Sequence, residues 1–161
     1  MYWDYYESII GKIYIVSDAT HIRRIIIGED SLEGFQLKEK SLCFKSTPLL
    51  KEAVQQLQEY FCKKRKDFEL PLKYEGTDFQ QSVWEVLKLI PYGKTISYSE
   101  VANQLNNPKS VRAVGQANRK NQLPIVIPCH RVIGKNNQMT GYAGNKIGLK
   151  QTLLQIEGAL I

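Results

Sequence analysis

Apolar residues in the first third of the chain alternate or run in short blocks, a pattern typical of strands. Residues 11–16 alternate and are rich in β-branched side chains, and residues 21–28 form an apolar block that ends at a glycine. We expect residues 1–9 to pair with the first of these segments as a hairpin. A further apolar block at residues 68–72 predicts another strand.

The apolar spacing becomes helical in the middle of this first part. Thr47 is a suitable N-cap, and Pro48 suits the first helical position. One face of the following segment carries the apolar residues Leu49, Leu50, Ala53, Val54, Leu57, Tyr60 and Phe61. We therefore expect two domains, of which residues 1–75 form a small α/β domain and residues 76–161 form the second.

The second half of the chain is patterned as short amphipathic helices. Thr77 and Gln80 carry capping signals for a segment whose apolar face stops at Pro91. Ser97 and Glu100 form a capping box at the start of the next short helix. The second domain is therefore predicted to be mostly helical, and the whole chain is predicted to be an α+β protein.

A tight turn with Asn107 as the expected cap leads to Pro108 at the start of the following helix. This helix is expected to bury Val111, Val114 and Gly115. Its opposite side presents a stripe formed by Lys109, Arg112, Gln116 and Arg119. Two short helices around a tight turn, the second basic on its outside, are typical of a helix-turn-helix or winged-helix-like DNA-binding unit. An ordinary helical hairpin has the same pattern.

The charge distribution favours nucleic acid as the partner of this second domain. The net charge of +6 lies entirely in residues 76–161, and no acidic residue occurs between Val101 and Ile156. A field of one sign attracts polyanions. Because Ala113 and Gly115 leave the basic helix with a small side, close contact with the DNA backbone and the minor groove is favoured over reading of major-groove edges.

The composition of the 161 residues, 43% hydrophobic and 24% charged, excludes a disordered or fibrous chain. No apolar run reaches the ~18–20 residues of a membrane span, and no signal peptide is visible. The three cysteines, Cys43, Cys62 and Cys129, lack CxxC spacing, and two histidines are too few for a histidine-rich metal site. We expect a cytoplasmic protein without metal, cofactor or membrane partner.

We expect the most reactive segment at residues 123–134, where Pro124 and Pro128 bracket a run of β-branched residues. It places Cys129 beside His130 in basic surroundings, which favour the nucleophilic thiolate. A small buried hydrophobe is the alternative interpretation of a cysteine, and we expect Cys43 and Cys62 to have that role. Neighbouring side chains in extended backbone point to opposite sides, so that Cys129 and His130 need a bend or a bridging water to communicate.

Residues 127–132, Ile-Pro-Cys-His-Arg-Val, resemble the signature of the methylated-DNA–protein-cysteine alkyltransferases, which repair O6-alkylguanine. Further motifs appear in the order of that family between about Phe79 and Gly158. They are Phe79…Val83-Trp84, Pro91-Tyr92-Gly93, Ile96-Ser97-Tyr98, Asn107-Pro108-Lys109…Arg112-Ala113-Val114-Gly115, Asn121, Tyr142-Ala143-Gly144 and Lys150…Leu153-Leu154…Glu157-Gly158. For residues 1–75 the resemblance implies a ribonuclease-H-like fold.

The resemblance implies a single-turnover transfer of the alkyl group to Cys129. His130 would take the thiol proton through a water, with Glu157 orienting the imidazole. Tyr98 would donate a hydrogen bond or proton to the guanine that leaves. Because the product is a thioether without a good leaving group, the transfer is expected to be irreversible.

The resemblance also implies roles in DNA binding and in the alkyl pocket. Arg112 would fill the gap left by a flipped nucleotide, and Asn121 would brace the turn before the acceptor segment. The carbonyls of Cys129 and Val132 would accept from the guanine amine, and the amide of Ala143 would donate to O6. The other pocket residues are Pro124, Tyr142 and Gly144, and the other DNA contacts are Lys109, Ala113, Gly115, Gln116 and Arg119.

Three alternatives fit parts of this pattern. A lesion-binding protein without transfer would replace Cys129, and a helix-turn-helix regulator would leave the matches at Tyr98, Asn121 and Glu157 unexplained. A cysteine hydrolase would turn over repeatedly and would not need a DNA-binding helix. The partner we expect is double-stranded DNA containing O6-alkylguanine, bound through its minor groove by a monomer. Activity on O4-alkylthymine is left open.

Overall fold

Residues 1–74 fold as a four-stranded sheet with two helices. The computed structural model describes residues 1–134 and 147–159, and the chain divides into two compact units, Met1–Tyr74 and Glu75–Ile161. The elements of the first unit are β1 (Tyr2–Ser8), β2 (Gly11–Ser17), β3 (Ile22–Ile27), α1 (Glu29–Lys38), β4 (Cys43–Phe44) and α2 (Pro48–Phe61).

The sheet has the strand order β3-β2-β1-β4, with β4 parallel to β1 and the other pairs antiparallel. The predicted hairpin is confirmed, because β1 pairs with β2 from Tyr2 opposite Ser17 to Ser8 opposite Gly11. The predicted helix is also confirmed, since α2 begins at Pro48 and the Thr47 side chain accepts from Leu50 N. Helix α2 packs on β1 and β2.

The strand predicted at residues 68–72 is wrong. Only Leu72 forms an isolated bridge, to Ile22. The backbone of Glu69 pairs instead with a side chain: Gln56 Nε2 donates to the Glu69 carbonyl at 3.1 Å, and Glu69 N donates to Gln56 Oε1 at 2.9 Å. Pro71 has no N–H to give to a ladder. The buried amide of Gln56 therefore replaces strand pairing in this segment.

The prediction that Cys43 and Cys62 are buried is wrong. Cys43 lies in the two-residue strand β4 and is exposed, and Cys62 is exposed at the C-cap of α2. Cys129, in contrast, is buried. A short edge strand and a helix end leave side chains in solvent whatever their polarity, so residue type alone misjudges both positions.

The second unit is mostly helical. Its elements are α3 (Asp78–Lys88), β5 (Ile96–Ser97), α4 (Tyr98–Gln104), a 3-10 turn (Pro108–Ser110), α5 (Val111–Arg119), a second 3-10 turn (Cys129–Arg131), β6 (Val132–Ile133) and α6 (Ile147–Ile156). Both predicted capping signals are reciprocal capping boxes, Thr77 with Gln80 and Ser97 with Glu100. Strands β5 and β6 pair in parallel, with Ile96 beside Val132.

Helix α5 is held from inside by a tryptophan. Trp84 Nε1 donates to the Ala117 carbonyl at 2.9 Å, and Val114, Ala117 and Asn118 are buried. The expected burial of Val111 is wrong, because α5 begins at this residue and leaves it 37% exposed at the helix end. The Asn107 side chain makes no capping bond, although Pro108 does begin the preceding 3-10 turn. None of the helices in the described part of the chain has the length and hydropathy that a membrane span requires.

Candidate active site

A tight turn, rather than an extended backbone, presents the reactive cysteine. Cys129, His130 and Arg131 form one 3-10 turn, in which Arg131 N donates to the Pro128 carbonyl at 3.0 Å and Val132 N donates to the Cys129 carbonyl. Cys129 is 3% exposed and is not in a disulfide. The turn is a bend between Cys129 and His130, which is one of the two arrangements, a bend or a bridging water, that the sequence left open.

The loop before this turn contains strained backbone that Asn121 holds in place. Ile125 has a φ of 75°, which is unfavourable for a β-branched residue. Asn121 Nδ2 donates to the Ile127 carbonyl at 2.7 Å, and Leu123 N donates to Asn121 Oδ1 at 3.0 Å. A backbone bond from Ile127 N to the Leu123 carbonyl closes the same loop. Asn121 therefore bonds to both ends of the loop before Cys129, and its role as a brace stays a prediction.

His130 contacts a carboxylate inside the unit. His130 Nε2 lies 2.7 Å from Glu157 Oε2, and the side chains of both residues have no exposed area. Arg131, to which the sequence analysis gave no role, donates from Nε to Glu157 Oε1 at 2.8 Å and from Nη2 to Oε2 at 3.0 Å. His130, Glu157 and Arg131 thus form a buried triad, of which the sequence had identified His130 and Glu157.

The protonation states of this triad follow from its contacts. Burial by itself would raise the pKa of Glu157, but hydrogen bonds and positive charge from His130 and Arg131 lower that pKa to about 2. Burial lowers the pKa of His130. The carboxylate of Glu157 acts to raise this pKa, but the charges of Arg131 and Lys150 act to lower it, and the pKa is lowered overall. At neutral pH an ionised Glu157 can only accept, so a neutral His130 carries its proton on Nε2 and its lone pair on Nδ1.

Lys150 is a buried lysine beside Val132, the residue that follows the turn of Cys129. Its Nζ donates to the Val132 carbonyl and lies 5.7 Å from the centre of the Tyr98 ring. Burial lowers the pKa of Lys150 to about 8, while the Cys129 charge acts to raise it. The residue was quoted in the sequence motif without a role. The signal that could have found it is its place in the motif that also contains Glu157.

The predicted basic stripe borders an open groove. Lys109, Arg112, Gln116 and Arg119 are all exposed, as is Ala113. A groove of about 420 Å³ is lined by Tyr98, Val111, Arg112, Gly115, Gln116 and Arg119. A Cβ atom built on Gly115 would lie 4.0 Å from the Tyr98 ring, which is an ordinary contact distance. Helix α5 and Tyr98 thus share one surface.

Helix α5 also contacts Cys129. Asn118 Nδ2 donates to the Cys129 carbonyl at 3.3 Å from the buried side of the helix. Two of the predicted pocket residues are buried: Val132 directly follows this turn, and Pro124 lies five residues before Cys129. Three further predicted pocket residues, Tyr142, Ala143 and Gly144, lie outside the described residues.

Comparisons with known proteins agree with the resemblance read from the motifs. Residues 1–74 match the family described as "6-O-methylguanine DNA methyltransferase, ribonuclease-like domain", and residues 78–159 match its "DNA binding domain". The chain is 47% identical over 156 residues to the constitutive methylated-DNA–protein-cysteine methyltransferase of Bacillus subtilis, covering 97% of this chain and 94% of that protein. It is 40% identical to the Methanosarcina acetivorans protein of the same family name, covering 99% of each.

A solved structure extends the comparison to the fold. The Mycobacterium tuberculosis protein OGT in complex with DNA superposes with a TM-score of 0.87 at 36% identity, covering 99% of this chain and 94% of that one. The predicted α+β fold class, with a ribonuclease-like first part and a DNA-binding second part, is confirmed. By matches over nearly its whole length, the chain belongs to the methylated-DNA–protein-cysteine methyltransferase family.

Proposed function

We propose that this protein repairs DNA by direct reversal, transferring the alkyl group of O6-alkylguanine irreversibly to Cys129. The observation that carries the proposal is the buried turn that places Cys129 directly before His130, whose Nε2 lies 2.7 Å from Glu157. Relatives that carry the methyltransferase name, and a relative solved with DNA, support the same activity. No role for a metal or cofactor enters the proposal.

The reaction is a displacement at the alkyl carbon. Cys129 Sγ forms a bond to that carbon while the bond from the carbon to guanine O6 breaks, and the electron pair of that bond stays with guanine. His130 Nδ1 takes the thiol proton through a bridging water, and Glu157 balances the imidazolium that forms. The positive charge of Lys150 favours the thiolate. The thioether product has no good leaving group, so each protein acts once.

The guanine is proposed to reach the thiol by flipping out of the duplex. Helix α5 would enter the minor groove, with Arg112 in the gap and the small residues Ala113 and Gly115 allowing close approach. Tyr98, which lines the same groove as Arg112, would donate to the departing base. Carbonyls of Cys129 and Val132 would accept from the guanine amine.

The DNA contacts and the chemistry would both belong to residues 76–161. We propose a monomer, and a compartment that keeps thiols reduced, such as the cytoplasm, because an oxidised Cys129 could not accept an alkyl group. We keep the pocket residues that the family resemblance assigns: Pro124 and Tyr142 as walls, the amide of Ala143 as a donor to O6, and Gly144 as a further substrate-binding residue.

The experiment that tests this function is intact-mass measurement after mixing the protein with a duplex that contains one O6-methylguanine. We expect a gain of one methylene, saturating at one per protein and mapping to Cys129. Tight lesion binding without a mass gain would indicate a recognition protein, and absence of any lesion preference would indicate a regulator. Repeated turnover on acyl substrates would indicate a hydrolase.

Arg112→Ala is expected to slow transfer from duplex DNA by at least about tenfold, because extruding a base costs a few kcal/mol that this side chain would offset. Reaction of Cys129 with iodoacetamide should be unchanged, since Arg112 lies in the exposed groove. Single-turnover rates on an O6-methylguanine duplex check this.

Arg119→Ala is the matched control for Arg112→Ala, because it removes the same charge from the same groove. We expect it to weaken duplex binding and to lower the slope of log binding constant against log salt concentration by about one, the value of one phosphate contact. The alkyl transfer that follows binding should not be slowed. An unchanged single-turnover rate in Arg112→Ala would show that Arg112 does not fill the gap left by the flipped guanine.

Gly115→Ala is expected to weaken DNA binding without lowering the stability of the fold. The added Cβ makes only ordinary contact with Tyr98 at 4.0 Å, and alanine is favoured over glycine in a helix by about 1 kcal/mol. The melting temperature should therefore stay or rise, while the methyl group on the floor of the groove lowers affinity for duplex DNA. Thermal denaturation and fluorescence anisotropy measure the two effects. A destabilised variant, or one that binds as wild type does, would contradict this account.

A further inference from the structure

Arg131 is a buried arginine whose three side-chain nitrogens each donate a hydrogen bond. Its exposure is 5%, and its Nη1 donates to the Ile90 carbonyl at 2.7 Å, in addition to the two bonds to Glu157. The Tyr92 ring lies 5.6 Å from the guanidinium carbon. Removing a permanent charge from water costs several kcal/mol, so its place beside the catalytic pair calls for an electrostatic explanation.

The charge balance of the triad depends on this residue. Arg131 Nη2 and His130 Nε2 both contact Oε2 of Glu157, at 3.0 Å and 2.7 Å. With Arg131 present, Glu157 already has one positive partner, so the carboxylate stabilises a protonated His130 less than it would alone. If Arg131 were absent, the carboxylate would have His130 as its nearest positive partner, and an imidazolium would be favoured.

The other groups that face His130 also leave its neutral form favoured. Glu157, which directly follows α6, favours the protonated imidazole, whereas burial, Arg131 and Lys150 disfavour it and together lower the pKa of His130. Lys150 acts near Cys129 as well. Arg131 is the member of this set that is bonded to both oxygens of the carboxylate.

We propose that Arg131 is a positioning residue for the alkyl transfer, which neutralises and orients Glu157 so that His130 rests as the neutral tautomer with its lone pair on Nδ1. Arg131 does not touch the reacting atoms. It acts through Glu157 on the residue that takes the thiol proton. This inference rests on the proposed role of His130 as the base.

The first test is the pH dependence of single-turnover transfer in wild type, Arg131→Gln and Arg131→Lys. In Arg131→Gln we expect the midpoint of the acid limb to move up by about one pH unit, since a neighbouring charge is lost. In Arg131→Lys the midpoint should stay near that of wild type, because the charge remains. Arg65→Gln removes a half-buried arginine–carboxylate contact elsewhere, between Arg65 and Glu59, and should leave the profile unchanged. A rate reduced by the same factor at every pH would make Arg131 merely structural and overturn the proposal.

The second test does not depend on a variant that folds. The chain has two histidines, so nitrogen NMR of the wild-type imidazoles resolves His130, with His21 as the internal reference. We expect His130 to be neutral at pH 7 with the proton on Nε2. An imidazolium, or a proton on Nδ1, would overturn the proposal. Because this measurement needs no DNA, it separates failure of the Arg131 proposal from failure of alkyl transfer, which the wild-type mass measurement reports.

Discussion

Cys129→Ala is expected to abolish alkyl transfer completely, because no other group in the turn can form the carbon–sulfur bond. The intact mass of this variant should remain unchanged after incubation with excess O6-methylguanine duplex. The matched control is Cys62→Ala, which removes an exposed thiol from the other unit and should gain one methylene as wild type does. Transfer in Cys129→Ala, or its loss in Cys62→Ala, would contradict the assignment of the acceptor.

Cys129→Ala should keep its affinity for lesion-containing DNA. The substitution removes one sulfur atom from a residue that is 3% exposed and leaves the groove beside α5 intact. The Cys129 carbonyl, which accepts from Asn118, belongs to the backbone and is retained. Stability should fall by only roughly 1 kcal/mol. Equal dissociation constants for wild type and variant, measured by anisotropy before transfer occurs, would show that binding and chemistry are separable.

Local signals in the sequence were sufficient for most of the secondary structure. The capping residues Thr47, Thr77 and Ser97 each mark a helix start that the structure has, because a cap acts through bonds to residues three positions away. Helix α1 was not predicted. Leu32 is its one buried residue, so it presents no apolar stripe to recognise.

Contacts between distant residues explain where sequence reasoning failed. The amide of Gln56 pairs with the backbone of Glu69 and replaces the expected strand, and a pattern of apolar positions contains no trace of such a bond. Two-residue strand β4 is too short for any periodicity. The expected burial of Val111 followed the helical period correctly but ignored the position of the residue at the helix end.

Some residues of the candidate site could be identified from the sequence, and others could not. Cys129, His130 and Glu157 could be named because they recur in recognisable motifs, and the basic stripe of α5 follows from helical spacing. Arg131 and Lys150 were given no role, because a charged residue is ordinarily expected at the surface. Their burial depends on Glu157 and on the Val132 carbonyl, partners that only the folded chain brings near.

Glu157→Gln is expected to have the second-largest effect, lowering both the transfer rate and the stability. Glutamine cannot balance the imidazolium that forms on His130, and loss of such assistance to a general base slows reactions by about 10²-fold or more. It also leaves the buried Arg131 without its counter-charge, a change that costs about 3–5 kcal/mol in proteins. Single-turnover rates below the melting temperature and urea denaturation measure the two effects. Glu85→Gln, which breaks an exposed pair with Lys88, is the control and should change stability by less than about 1 kcal/mol.

The pH dependence separates the charge of Glu157 from its packing. Because the folded-state pKa of about 2 lies below the ordinary value of 4.5, ionised Glu157 stabilises the folded state above pH 4.5, and this stabilisation is lost as the pH falls toward 2. It amounts to something on the order of 3 kcal/mol. The stability difference between wild type and Glu157→Gln should therefore be largest above pH 4.5 and shrink below it. A difference that stays constant from pH 7 to pH 3 would mean that Glu157 stabilises the fold by its shape, and the electrostatic role of the triad would have to be abandoned.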